Sequence, residues 1–228
     1  MTSITSVTEI CTVNDSISKE EIQHLVGRSN PVILDIGCND GTHTQMFFDL
    51  FENASVYSFE PDPRAYNRFK NIVKHPRSRI FATAIGAFDG KIEFHQSEGI
   101  PDASWVAKRP EGWDYSGSIR KPKQHLTIHP WCQFSKKIEV DIMRLDTWVK
   151  NEKIDKIDFI WADVQGAEVD LINGGYETLT QTRFLYTEYN DLELYEGQVT
   201  LSKLLDMLPD FEIVHKYQDD VLLRNKLL

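Results

Sequence analysis

The sequence predicts an α/β fold in which a mostly parallel sheet is covered by helices on both faces. Three observations predict it. Pro31-Val32-Ile33-Leu34-Asp35-Ile36 is a short apolar run of the kind a doubly covered strand requires, and Gly37-Cys38-Asn39-Asp40-Gly41 follows it, with glycines that allow a tight turn and close approach to a ligand. Ser55-Val56-Tyr57-Ser58-Phe59-Glu60 repeats the strand pattern and ends in an acid, the arrangement in which a carboxylate accepts ribose hydroxyls. Strand-like and helix-like segments then alternate along the chain, which specifies parallel strands joined by helical crossovers. With 228 residues the chain suits one α/β domain over 1–228.

Each element has a local cause. Residues 1–17, rich in Ser and Thr, read as a frayed tail or an extra edge strand. Ser18-Lys19-Glu20-Glu21 is a capping-box pattern that opens a helix, and Gly27 ends it, so 1–30 forms a tail and a bracing helix. After the first strand, Thr42 is placed to cap a helix running to about Glu52, with Met46, Phe47, Leu50 and Phe51 on one face. Pro61 and Pro63 stop the second strand and start an amphipathic helix. Arg79 to Ile85 reads as the third strand, and Asp89-Gly90 before Lys91-Ile92-Glu93-Phe94-His95 reads as a hairpin turn. Strands at Lys137–Met143, Ile157–Asp163 and Phe184–Glu188 alternate with helices from Asp146 and from Ala167, the latter stopped by Asn173-Gly174-Gly175. A helix over Leu201–Leu208 precedes two closing strands, Phe211–Val214 and Val221–Leu223.

The glycine spacing departs from the G-x-G-x-x-G of dinucleotide dehydrogenases, and Asp35 stands inside the strand end. An acid there suits the amino group of a methionine moiety, which points to S-adenosylmethionine rather than a nicotinamide. The motifs Asp35-Ile36-Gly37-Cys38-Asn39-Asp40-Gly41, Phe59-Glu60-Pro61, Ala84-Ile85-Gly86 with Asp89-Gly90, and Asp163-Val164-Gln165-Gly166-Ala167-Glu168 occur in that order. In these motifs the chain resembles the FkbM-like S-adenosylmethionine-dependent methyltransferases, over roughly residues 30 to 190. The resemblance implies a Rossmann-like class I methyltransferase fold, with a seven-stranded sheet and an antiparallel strand at one edge. It also places Ala84 and Ile85 near the adenine. One departure is Gln165, where the family usually carries an acid.

The cofactor-binding candidates are therefore Asp35, Gly37, Cys38, Asn39, Gly41, Glu60, Pro61, Ile85 and Asp163. Asp35, Glu60, Asp163 and Glu188 all end predicted strands, and right-handed crossovers bring such ends to one edge of the sheet. Methyl transfer from a sulfonium needs alignment and exclusion of water, and a hydroxyl acceptor also needs a base. Asp163 and Glu188 are the catalytic candidates, with His125 and His129 in reserve. No metal is assigned, and the sequence leaves the metal requirement open. Magnesium is a candidate cofactor only through Asp163, Glu188 and Asp191, whose spacing does not demand it. His43 opens a helix and reads as solvated or packed.

Residues 97–136 break the rhythm, with four of nine prolines and three of five tryptophans, Trp105, Trp113 and Trp131. This predicts an ordered inserted lid that binds the acceptor. Lys108, Arg109, Arg120, Lys121, Lys123 and Lys136 outnumber Glu98, Asp102, Glu111 and Asp114 there, compatible with an anionic acceptor as well as a solvated loop. Tyr186 to Asp191 and Tyr195 to Gln198 suit a sugar. The net charge of −10 argues against nucleic acid. Three cysteines, Cys11, Cys38 and Cys132, with no basic apolar leader and no long apolar run, predict a soluble cytoplasmic protein, with a homo-oligomer left open. The expected activity is O-methylation of a small molecule or glycan precursor. A nicotinamide-dependent oxidoreductase and a non-catalytic scaffold retaining the fold are the alternatives.

Overall fold

The structure is a computed structural model that describes residues 16–102, 104, 106 and 112–228. The expected N-terminal tail or strand up to residue 15, Cys11, Trp105, Lys108, Arg109 and Glu111 lie outside the described residues. Helices α1 (Lys19–Val26), α2 (Thr42–Leu50) and α3 (Pro63–Ile72) alternate with strands β1 (Val32–Ile36), β2 (Ser55–Phe59) and β3 (Ser78–Phe81). Next come β4 (Ala84–Ile85), β5 (Gly90–Gly99), the short helix α4 (His125–Ile128) and β6 (Cys132–Met143). The chain closes with α5 (Leu145–Glu152), β7 (Ile157–Ala162), α6 (Glu168–Thr180), β8 (Thr182–Glu188), α7 (Leu201–Met207), β9 (Phe211–Lys216) and β10 (Asp220–Asn225).

The main sheet has seven strands in the order β3-β2-β1-β7-β8-β10-β9. It is parallel except for β10, which runs antiparallel to both β8 and β9. The antiparallel strand thus stands one place in from the edge, and β9 forms the edge itself. Strand order reverses between β1 and β7, which pair in parallel from Ile33↔Phe159 to Ile36↔Ala162. Such a switch point opens a crevice beyond the strands' carboxyl ends.

Alternation along the strands divides the core. Ile33, Val56, Phe159 and Tyr186 face α1, α2 and α3, whereas Leu34, Phe59, Ile160 and Leu185 face α5, α6 and α7. Each fully buried Leu, Ile or Phe contributes about 1.5–3 kcal/mol. Ser18 caps α1 by accepting the Glu21 N–H at 3.1 Å, and Gly27 closes it at φ 64°. The Glu21 carboxylate does not complete a capping box. It accepts the Tyr217 hydroxyl at 2.9 Å, tying α1 to the far end of the chain.

Three expectations are corrected. The third strand breaks in two: β3 joins the main sheet, and β4 joins a separate sheet ordered β4-β6-β5. No hairpin forms at Asp89-Gly90, because β6 inserts between β4 and β5 and pairs antiparallel with β5 from Gly90↔Ile142 onward. Gly174-Gly175 does not stop α6 but kinks it at Gly175. A Cβ on Gly174 would lie 1.8 Å from the Gly86 carbonyl oxygen, so these glycines serve close packing rather than termination.

Candidate active site

The loop after β1 is shaped by backbone contacts. Gly37 has φ 81°, and a Cβ there would meet the Asp163 carbonyl oxygen at 1.8 Å, so the loop presses against the end of β7. The N–H groups of Gly37 and Cys38 donate to the Phe59 carbonyl at 2.9 and 3.1 Å. Asn39, at φ 44°, turns its N–H onto Glu60 Oε2 at 2.9 Å, and the Asp62 N–H donates to Glu60 Oε1 at 2.7 Å. Thr42 does not cap α2. It is the first helical residue, and Asp40 Oδ1 accepts its N–H at 3.1 Å and its hydroxyl at 2.7 Å.

Gly37, Asn39, Glu60, Pro61, Ile85 and Asp163 line one cleft of about 600 Å³, together with Ala84. Asp35, Cys38 and Gly41 do not. Asp35 lies on the same strand face as Ile33 and accepts the Thr44 hydroxyl of α2 at 2.5 Å. It braces the helix and does not line this cleft. Burial pushes its carboxyl up to about 7, against the Thr44 hydrogen bond and with help from Asp163. Cys38 packs in the core beside Phe47, and burial raises its thiol well above the usual range. Gly41 lets Phe69 approach, since a Cβ would lie 2.5 Å from that ring.

Glu60 is 5% exposed, and burial raises its carboxyl to about 8, opposed by the N–H donor of Asp62. A carboxylate offers about four acceptor positions. Two are filled by backbone N–H groups, leaving one on each oxygen for the hydroxyls of a diol. The residues present therefore fit an adenosine whose ribose meets Glu60.

A second cleft of about 990 Å³ adjoins the first, and Tyr115, Asp163 and Gln165 line both. Its walls include Trp113, Trp131, Tyr189, Asn190, Gln198, His125 and Glu188. The described part of the 97–136 insertion supplies much of this wall, narrowed at either end because β5 runs to Gly99 and β6 begins at Cys132. At the junction, Gln165 Nε2 donates to Asp163 Oδ1 at 2.7 Å and to Glu188 Oε2 at 2.8 Å. The Tyr195 hydroxyl lies 3.0 Å from Gln165 Oε1 and 2.9 Å from the Ser116 carbonyl. Burial, then the charge of Asp163, raises Glu188 far above the carboxylate range, while burial takes Asp163 only to about 6 because Gln165 donates to it. Because ionised Asp163 disfavours ionisation of Glu188, the two titrate as a pair.

The other candidates fall into place around this pair. Burial lowers His125 to about 4, with the neighbouring His129 acting in the same direction, so it is neutral in the cleft wall. His43 packs against Trp161, ring centroids 4.2 Å apart and tilted by 35°. Tyr186 and Tyr195 are buried rather than presented to a sugar, whereas Tyr189 faces the second cleft. Asp191 is exposed and does not join Asp163 and Glu188, whose near oxygens are bridged by an amide. Among the described residues no three His, Cys, Asp or Glu side chains converge on a cation position. Arg120, Lys121 and Lys123 are paired with Asp170, Glu196 and Glu193, so their charge is spent on acids that the count over 97–136 left out. Sequence reasoning marked Gln165 only as a departure and missed Tyr195 as its support, a contact that depends on the positive φ of 51° at Gln165.

The family profile described as Methyltransferase FkbM domain matches residues 35–219. The chain is 49% identical over 213 residues to the 2-O-methyltransferase NoeI of Sinorhizobium fredii (strain NBRC 101917 / NGR234), covering 91% of this chain and 85% of that protein. It is 22% identical over 158 residues to methyltransferase sdnD of Sordaria araneosa, covering 64% and 61% respectively. Among solved structures it is similar to methyltransferase FkbM from Methylobacillus flagellatus KT, with a TM-score of 0.54 at 12% identity. That likeness covers 86% of this chain but 44% of the other, and it shows the fold.

Proposed function

Because the chain belongs to the FkbM methyltransferase family and is an S-adenosylmethionine-dependent O-methyltransferase, we propose that its acceptor is a sugar and that methyl goes to the 2-hydroxyl. The activity named for the Sinorhizobium relative supports the position, and the aromatic second cleft supports the sugar. The carrying observation is that the two clefts meet at Asp163 and Gln165. Family membership leaves the oxidoreductase and scaffold alternatives without support.

In this reading Glu60 and Asn39 hold the ribose end, Pro61, Ala84 and Ile85 flank the adenine, and Gly37 with Asp163 meets the methionine end. S-adenosylmethionine supplies an electrophilic methyl group when bound. Trp113, Trp131 and Tyr189 stack on the sugar, Asn190 and Gln198 bond its hydroxyls, and the junction excludes water. The Asp163–Glu188 pair accepts the hydroxyl proton, with Gln165 fixing both carboxyls so that the free lone pair points at the acceptor. The described portion of the insertion acts as an acceptor-binding lid. A reducing, cytoplasmic setting is supported by Cys38 and Cys132, both free and buried. Among the described residues no helix is long and apolar enough to cross a membrane.

The test is transfer of radiolabelled methyl to a panel of glycosides, each paired with its 2-deoxy analogue. Label on the parent and none on the 2-deoxy partner is expected. Label that is indifferent to the 2-hydroxyl rejects the position. Amines or phenols accepted while every glycoside is refused rejects the sugar.

A further inference from the structure

The segment from Trp113 to Ile119 is the wall between the two clefts. Trp113 and Ser116 line the acceptor side, Asp114 lines the cofactor side, and Tyr115 borders both. Asp114 comes from the insertion, far from the glycine loop in sequence, yet it is fastened to that loop. Its carbonyl accepts Asn39 Nδ2 at 3.1 Å, and its Oδ2 accepts Arg68 Nη2 at 2.5 Å. The same Arg68 nitrogen reaches Asn39 Oδ1 at 3.2 Å, closing a triangle.

Asp114 is 5% exposed, and its remaining oxygen, Oδ1, is buried with no hydrogen-bond partner among the described residues. A buried carboxylate oxygen left unpaired is costly, so its placement in a ligand cleft calls for a donor from the ligand. Asn39 identifies which part of the ligand: its N–H bonds the Glu60 carboxylate, its side-chain amide bonds the main-chain carbonyl of Asp114, and the Asp114 charge is among those felt by Glu60, so the two acids are neighbours in the cleft. Glu60 has each oxygen already engaged by a backbone N–H, whereas Asp114 Oδ1 is wholly free.

Resting on the reading of the first cleft as the S-adenosylmethionine site, we infer that Asp114 is a second acid of that site, its Oδ1 accepting a ribose hydroxyl of the adenosine. Glu60 then needs to take only the other hydroxyl.

The experiment is calorimetric binding of S-adenosylhomocysteine and of its 2′-deoxy and 3′-deoxy analogues to the wild type and to Asp114→Asn, with melting curves of both unliganded proteins. A hydrogen bond to a charged acceptor predicts a loss of about 10- to 100-fold for S-adenosylhomocysteine in the variant. The loss should vanish with one of the two deoxy analogues, a coupling that a merely structural carboxylate would not show. Asp114→Ser serves if the Asn variant does not fold. Equal affinity in wild type and variant overturns the inference, and so does a loss that persists with both analogues. A wild type that does not bind S-adenosylhomocysteine at all overturns the cofactor reading beneath it, a different and separately visible result.

Discussion

The two clefts that meet at Asp163 are built in opposite ways. The first cleft, proposed for the cofactor, is assembled from the ends of neighbouring parallel strands, with backbone N–H groups setting the side chains: Gly37 and Cys38 donate to Phe59, and Asn39 donates to Glu60. The second cleft, proposed for the acceptor, is walled by side chains from a loop-rich insertion and from the segment after β8, held by contacts such as Trp113 against Trp131, centroids 5.1 Å apart. A backbone-defined site tolerates little change at its turns. A side-chain wall loses affinity in steps.

The contrast is broken most directly at Gly37. Any side chain there collides with the Asp163 backbone and requires a positive φ, so Gly37→Ala should abolish binding of S-adenosylhomocysteine, by more than about 100-fold, or prevent folding. Near-normal affinity would mean that the loop is not held as described.

The junction should respond next. Asp163→Asn is expected to lower kcat by about 10²- to 10⁴-fold, the usual contribution of a positioned base. The wild type should lose kcat as pH falls through about 6, where Asp163 takes up a proton and the pair can no longer accept one. A flat profile from pH 5 to 8 would exclude the pair as base. Gln165→Glu sharpens the same point, because it replaces a donor 2.7 and 2.8 Å from two acids by a third acid. Repulsion should move the acid limb of the profile upward by about one pH unit or more, and added magnesium should restore part of the rate. An unmoved limb would show that the amide does not hold the pair.

The wall should give the milder effect. Trp113→Ala removes one stacking face and should raise the acceptor KM by about tenfold while leaving S-adenosylhomocysteine affinity within about twofold. A matching loss in cofactor affinity would instead mean that the wall and the cofactor cleft are one rigid unit.

The same contrast explains what could be read from the chain. The strand ends and the glycine loop were legible because their determinants are local: an apolar run, a turn and an acid within a few residues of one another. Asp35 shows the limit of that reading. It stands in the motif, but the two-residue alternation of β1 turns it to the face of Ile33, toward Thr44. The expected hairpin at Asp89-Gly90 failed for a long-range reason, since β6 arrives from beyond the insertion and competes for the edge of β5. The roles of Asp114, Arg68 and Tyr195 were not legible, although Tyr195 stood out as a sugar candidate and Asp114 in the charge count, because each acts through a partner dozens of residues away.

The smallest expected effect concerns stability. Burial raises Asp35 and Glu168 to about 7 and Glu60 to about 8, against about 4 in an unfolded chain. The folded state therefore holds protons that the unfolded state has released, and stability from these groups is full below about pH 4 and lost as pH rises toward 8. Buried histidines act with the opposite sign: His125, lowered to about 4, and His43 and His95, also lowered, oppose protonation that an unfolded chain accepts below about 6.5. The two effects compete below pH 6.5, leaving the acids alone between 6.5 and 8.5. The melting temperature of the unliganded protein should fall by several degrees over that interval. Saturating S-adenosylhomocysteine should reduce the fall, because ribose hydroxyls bonded to Glu60 favour its charged form. A melting temperature that rises from pH 6.5 to 8.5 would mean that these carboxyls are already ionised in the folded chain, and a fall unchanged by ligand would place the ribose away from Glu60.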